Sequence, residues 1–270
     1  MPMTTQEIMD LALEMVGFHE IPADSGIYVN GTDIERILLG IDMGSAEILL
    51  AQEMGYDCVV AHHPQPAIVT FPDIIDKHVN QMVAAGVPEE EAWRAVASLK
   101  ERLQFSYHAG NYDHAPSVAR LVGMPYMSIH NPLDELGRRR MAQAVEEHAS
   151  GSEATLQDVV DALMTIPDFK DSPTRPEIRI GDPGAPAGKV MVSHAAGTNG
   201  GYEVARAYFA HGVDTVIYIH IAHPAYLKLK QEALGNLIVS GHITSDRAGI
   251  TPFVEALREK GVEVTTISGV

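Results

Sequence analysis

The chain has 270 residues, 46% of them apolar, and 36 acidic against 19 basic side chains give a formal charge of −17. That length and apolar fraction allow one large domain or two smaller lobes with a real core. The charge argues against a broad nucleic-acid footprint, which needs a basic face, and against an anionic membrane surface. The basic triplet Arg138-Arg139-Arg140 is surrounded by Glu135, Glu146 and Glu147 and reads as a solvated helix face. The single cysteine, Cys58, leaves no disulfide framework and suits a reducing compartment. The first residues lack the basic and apolar regions of a secretory signal, and no apolar run approaches the ~18 residues of a membrane span. A cytoplasmic location without a membrane partner is therefore expected.

Thr4 and Glu7 have capping-box spacing and open a helix with Ile8, Leu11 and Met15 at helical intervals. Ile27-Tyr28-Val29 is a short strand between two turn-rich stretches. Residues 34–41 read as a buried strand ending at Asp42; Gly44-Ser45 then opens a helix to about Met54, capped by Gly55. The apolar run after Asp57 stops at His62-His63-Pro64, where Pro64 cannot donate to a ladder. Residues 72–85 and 88–103 read as helices with proline at their starts, 105–108 as a strand, 109–114 as a polar loop and 116–122 as a helix. Helices are expected over 134–149 and 156–164. The Pro-, Gly- and Asp-rich stretch 166–189 reads as a long surface loop, and 190–192 as a strand ending at His194.

From there the earlier order recurs. Gly197-Thr198-Asn199-Gly200-Gly201 is a turn, 202–211 a helix, and 214–219 a strand ending at His220; a helix near 226–233 leads to a strand over 237–240. Gly241-His242 is a turn, 246–260 a helix and 262–267 the last strand. The sequences Gly55-Tyr56-Asp57 and Gly212-Val213-Asp214 each precede an apolar strand that ends in His and Pro, which suggests an internal duplication. The alternation predicts an α/β fold of two similar lobes with mixed, largely parallel sheets. Lobe one is expected over 1–125 plus 236–270, lobe two over 126–235.

Three segments carry candidate metal ligands: His62-His63 at a strand end, the loop from Tyr107 to His114 with Asp113 just before a helix, and Gly241-His242-Ile243-Thr244-Ser245-Asp246. Ligands gather beyond the carboxyl ends of parallel strands, and neutral imidazole is a common ligand. Each piece also has a plainer reading. Adjacent histidines on a strand point to opposite faces, and Asp113 before Ala115-Pro116 is a natural helix N-cap. Asp246 fits first-turn dipole chemistry. Three or four protein ligands satisfy one metal; three His and two carboxylates suit two metals sharing an activated water.

With these residues in place the chain resembles the Nif-three-like family of dinuclear metal-centre proteins, also labelled GTP cyclohydrolase I type 2 homologues. The resemblance rests on 34–42, on Cys58-Val59-Val60-Ala61-His62-His63-Pro64, on Asp113, on 190–224 and on Gly241-His242-Ile243-Thr244-Ser245-Asp246. It implies metal ligands at His62, His63, Asp113, His242 and Asp246, two α/β lobes, and a toroidal homohexamer. The chain departs from the family pattern in having Asp246 in place of the usual Glu. Its Asp113 also comes five positions after His108 instead of in a His-Thr-x-x-Asp spacing. The reading that follows is a metal-dependent hydrolase with two divalent ions (Zn, Fe, Mn, Co or Ni), acting on a nucleotide, another phosphoester or a purine ring. His108 or His220 would be the catalytic proton shuttle or substrate contact. The alternative is a non-enzymatic metal-binding, regulatory or metal-delivery protein. The apolar residues Ile74, Ile75, Val79, Met82 and Val83 are expected to face a neighbouring subunit.

Overall fold

The apolar runs of the sequence become the strands of two separate sheets. In a computed structural model, which describes residues 2–65 and 68–270, the chain begins α1 (Thr5–Val16), β1 (Gly26–Val29), β2 (Arg36–Gly40), α2 (Ser45–Glu53) and β3 (Cys58–Ala61). A 3-10 turn (Phe71–Ile75) leads to α3 (Asp76–Ala85), α4 (Glu89–Ala109), α5 (His114–Val122), β4 (Tyr126–Ser128) and α6 (Asn131–His148). Then come α7 (Leu156–Leu163), α8 (Pro167–Lys170), β5 (Glu177–Ile180), β6 (Val190–Val192), α9 (Gly201–Ala210) and β7 (Thr215–Tyr218). The chain ends with α10 (His223–Glu232), β8 (Asn236–Val239), α11 (His242–Glu259) and β9 (Glu263–Ile267). The capping box forms as expected: Glu7 N–H donates to Thr4 Oγ1, and Thr4 N–H to the Glu7 carboxylate. Among the described residues no helix is long and apolar enough to cross a membrane.

The chain divides into two units. The first comprises Met1–Ile74, Leu103–Leu136 and Gly249–Val270; the second comprises Ile75–Arg102 and Gly137–Ala248. Sheet order in the first is β1-β4-β3-β2-β9, and in the second β5-β8-β7-β6. In the first sheet β4, β3, β2 and β9 run parallel, with β1 antiparallel on the edge. In the second β8, β7 and β6 run parallel, with β5 antiparallel on the edge. Both edge pairs break register after their second residue, at Ile27/Val29 and Ile178/Ile180. Four strands in the same order, with the same edge irregularity, make the lobes duplicates in topology.

Strand periodicity explains why the central strands lack polar alternation. Ile37, Leu39, Cys58 and Val60 pack into one core with Ile8, Met9 and Phe253. Their neighbours Leu38, Val59 and Ala61 pack into another with Ile48, Ala119 and Tyr126. With both faces covered, every position must be apolar.

Several expectations are corrected. Residues 105–108 are not a strand but the last turn of α4, where Tyr107 stacks on Phe71 at 4.5 Å and Phe105 stays 73% exposed. The helix expected from 72 begins as a 3-10 turn, and the expected loop 166–189 contains α8 and β5. The lobe boundaries also move, for a pairing reason: β4 joins β3 and β1, β8 joins β7 and β5, and 75–102 belongs to the second unit. Ile74, Ile75, Val79 and Met82 are core residues, leaving Val83 as the exposed member of the expected contact face.

Candidate metal centre

Parallel pairing brings the ends of β2, β3 and β4 to one edge of the first sheet. The ladder runs on past the strands: His62 N–H donates to Gly40 O, His63 N–H to Ile41 O and Ile129 N–H to Ala61 O, each at 2.9 Å. Asp42, His62-His63 and His130 are therefore set side by side by backbone bonds. Asp134 joins them from the first turn of α6, one helical turn beyond His130, where the helix dipole favours a carboxylate.

His62, His130 and Asp134 are buried, at 1%, 7% and 3% exposure, and their ligand atoms all lie within 4.8 Å of one another. The two Asp134 oxygens face different rings: Oδ1 is 3.3 Å from His62 Nε2 and Oδ2 is 3.6 Å from His130 Nε2. His63 lies alongside, its ring centroid 5.4 Å from that of His62 and 6.0 Å from that of His130.

The hydrogen bonds assign the tautomers. His62 Nδ1 is 3.1 Å from the Ile129 carbonyl, which only accepts, so Nδ1 carries the hydrogen. His130 Nδ1 meets the fully buried Asp24 Oδ2 at 2.7 Å, and His63 Nδ1 meets Asp42 Oδ1 at 2.7 Å. In the neutral rings the lone pair is then on Nε2. For His62 and His130 that lone pair points at a carboxylate oxygen, an acceptor facing an acceptor, which either a proton or a metal cation between them satisfies. Burial works against a charged His130, but Asp134 and Asp24 outweigh it and hold its pKa above the ordinary value. The donor set therefore fits a divalent ion: two imidazole Nε2 atoms and a carboxylate, with outer acceptors already on the Nδ1 atoms.

The second unit repeats the arrangement. His194 lies two residues past β6, His220 two past β7, and after β8 His242 opens α11 with Asp246 one helical turn further on. His242 Nε2 is 3.5 Å from Asp246 Oδ2, with Asp246 1% exposed. The His220 and His242 rings are 4.6 Å apart, and Asn199 Nδ2 is 2.9 Å from His220 Nδ1. Hydroxyls pin this helix start: Ser240 Oγ to Ser245 Oγ at 2.7 Å, Ser245 Oγ to Gly241 O at 2.6 Å, and Thr244 Oγ1 to Thr174 Oγ1 at 3.1 Å. Gly241 has a φ of 102°, which only glycine adopts without strain, and so allows the sharp entry into α11. The pair His242/Asp246 is the counterpart of His130/Asp134, each four apart after the corresponding strand.

Of the residues expected from sequence, His62 and His63 lie in the first cluster, and His242, Asp246 and His220 lie together in the second unit. Asp113 lies at the N-cap position of α5 but makes no capping bond; its half-exposed carboxylate pairs with Arg120, and it belongs to none of the metal-compatible groups among the described residues. His108 is exposed in the last turn of α4. The residues missed were Asp24, His130 and Asp134. The signal for the last two was present: Ile129-His130-Asn131-Pro132-Leu133-Asp134 has the His-x-x-x-acid spacing of His242 and Asp246, and the spacing that the family resemblance leads one to expect.

No protein-family model matches the sequence, and no curated protein does. Among solved structures the chain is similar to a NIF3 superfamily protein from Sphaerobacter thermophilus, with 49% identity over 99% of each chain and a TM-score of 0.97. Reduced HcgD from Methanocaldococcus jannaschii shares the fold at 13% identity over 98% of each chain, with a TM-score of 0.63. A Bacillus cereus protein related to NIF3 also shares it, at 10% identity over 98% of this chain and 96% of that one, with a TM-score of 0.52.

Proposed function

Because this chain belongs to the NIF3 superfamily, we propose that it is a metal-binding protein carrying two divalent ions and acting as a metal-dependent hydrolase. The observation that carries the reading is the buried group His62, His130 and Asp134, whose Nε2 and carboxylate atoms converge within 4.8 Å. His62, His63, His130 and Asp134 hold one ion; His242 and Asp246 are ligands of the other. Asp113 is not carried forward, since Arg120 neutralises it away from the imidazoles. When bound, such ions lower the pKa of a water and polarise an electrophile. The substrate class we propose is a nucleotide, another phosphoester or a purine ring, with His220, whose ring is 4.6 Å from that of His242, as the group that would hold or pass a proton.

A second reading, metal storage or delivery without catalysis, is favoured by the near-complete burial of His62 and Asp134, because closed sites are structural and open ones catalytic. Against it, the His63 side chain is 23% exposed and the Asp42 that orients it 72% exposed, giving the site an accessible side. Elemental analysis and a phosphoesterase and purine-hydrolase screen on one preparation decide between them. Turnover that falls with metal removal and returns on reloading supports the hydrolase; full metal content without turnover of any substrate supports the second reading.

For a homo-oligomer we propose a different contact surface than the one expected from sequence. Leu49 and Leu50 on α2, Met54 just after it and Leu121 on α5 are 47–85% exposed, and α2 and α5 pack on each other. Neighbouring exposed apolar groups of this size favour association, and a hexamer is the expected state. Light scattering at moderate salt is expected to give about six times the 29.2 kDa chain mass. A monomer mass overturns it. With −17 per chain, lowering the salt is expected to loosen the assembly.

A further inference from the structure

Asp24 lies in the turn before β1, far in sequence from every residue of the cluster, yet it is wholly buried beside His130. A buried carboxylate is costly unless its oxygens are satisfied. Here Oδ2 takes the His130 Nδ1 hydrogen at 2.7 Å, and Oδ1 is 3.4 Å from Ser25 Oγ. Ser25 closes the arrangement by accepting the His130 backbone N–H at 2.9 Å, while its own N–H donates to Pro22 O. The turn thus grips His130 at both its backbone and its ring. Three imidazoles of the first unit each have a different Nδ1 acceptor: a main-chain carbonyl for His62, an exposed carboxylate for His63 and a buried one for His130.

We propose that Asp24 is a positioning residue that fixes His130 as an additional metal ligand, its Nε2 presented beside Asp134. The inference rests on the metal-binding reading above. The geometry gives its chemistry: a carboxylate on Nδ1 keeps the ring hydrogen there, leaves the Nε2 lone pair for the ion, and increases the basicity of that nitrogen. The amide introduced by Asp24→Asn has the same shape but no charge. Its N–H competes for Nδ1 and drives the ring hydrogen to Nε2, the tautomer that cannot ligate.

The test is chelator competition on the full-length protein loaded with Zn2+ or Co2+, for wild type, Asp24→Asn, His130→Asn and the double variant, with thermal melts of the metal-free proteins beside it. Asp24→Asn is expected to weaken metal binding about 10- to 100-fold, the range for lost outer-shell partners. The cobalt absorption band is expected to shift. The double variant is expected to be no weaker than His130→Asn, because Asp24 acts only through that ring. Unchanged affinity and cobalt spectrum in Asp24→Asn overturn the proposal even if the melt is lowered, since that would be a purely structural role. Additive losses in the double variant also overturn it. A wild type that takes up no metal is a different outcome and removes the metal-binding reading itself.

Discussion

Asp134→Asn is expected to strip the first-unit metal, while Asp113→Asn leaves metal content at the wild-type level. Asp134 is 3% exposed and places one oxygen near the Nε2 of each of two imidazoles, at 3.3 and 3.6 Å. The amide has nearly the same volume but no charge, so two lone pairs lose the anion that shares a cation with them. Losing an outer partner weakens a metal by 10–100-fold, and loss of a direct carboxylate ligand is expected to exceed about 100-fold. Asp113 meets Arg120 on a half-exposed helix face, where an ion pair contributes little. Elemental analysis after gel filtration reads the difference. Metal retained in Asp134→Asn and lost in Asp113→Asn would restore the assignment first made from sequence and remove this one. Asp246→Asn, the counterpart in the second unit, is expected to lose metal as well.

The other large effect is on stability in acid. His78 on α3 is fully buried, and its Nε2–H donates to the Thr198 carbonyl at 2.9 Å. Burial pulls its pKa down to about 4; the Thr198 bond opposes this weakly, and His194 adds to it. In the unfolded chain the ring titrates near 6.5. Between those values the unfolded state binds the proton and the native state does not. The stability owed to a neutral His78 is therefore complete above about pH 6.5 and declines as pH falls toward 4. At 1.36 kcal/mol per pKa unit the loss reaches ~3 kcal/mol at the acid end. His78→Gln keeps a donor for Thr198 and has no titration in this range. Urea unfolding of both proteins from pH 7.5 to 4 is expected to show the wild type losing that much relative to His78→Gln; parallel curves would mean that His78 is solvated or charged in the native state. Subtracting the two removes the many acidic groups that titrate in both.

The ends of elements were the places where sequence and structure diverged. The strand Tyr126-Met127-Ser128 is three residues long and was not recognised, so His130 was not seen to stand at a strand end. Phe105 to His108 has the composition of a strand, yet it continues α4, because a helix already 16 residues long extends at the cost of one residue's freedom per bond. That difference is what keeps Asp113 from the sheet edge: a strand there would have delivered it to the edge, and a helix does not. Ile74, Ile75, Val79 and Met82 appeared to exceed what one core face needs because their burial within the chain is invisible in local periodicity.

What the sequence determined by itself was whatever local chemistry dictates. Capping boxes and glycine caps placed helices, β-branched runs with both faces apolar placed parallel strands, and the repeated Gly-x-Asp, strand, His, Pro order revealed two lobes. His62 and His63 were legible because proline stops a strand on the spot, and His242 and Asp246 because glycine marks the turn before a helix. What only the tertiary structure decided was which strand ends become neighbours. Strand order β1-β4-β3-β2-β9 is a matter of long-range pairing, and no spacing along the chain encodes it. That pairing put His130 beside His62 and Asp134 between their Nε2 atoms, and it placed Asp24, 106 positions before His130, against the ring it orients. Those are contacts between residues remote in sequence, set by the packing of a sheet whose strands alone were readable.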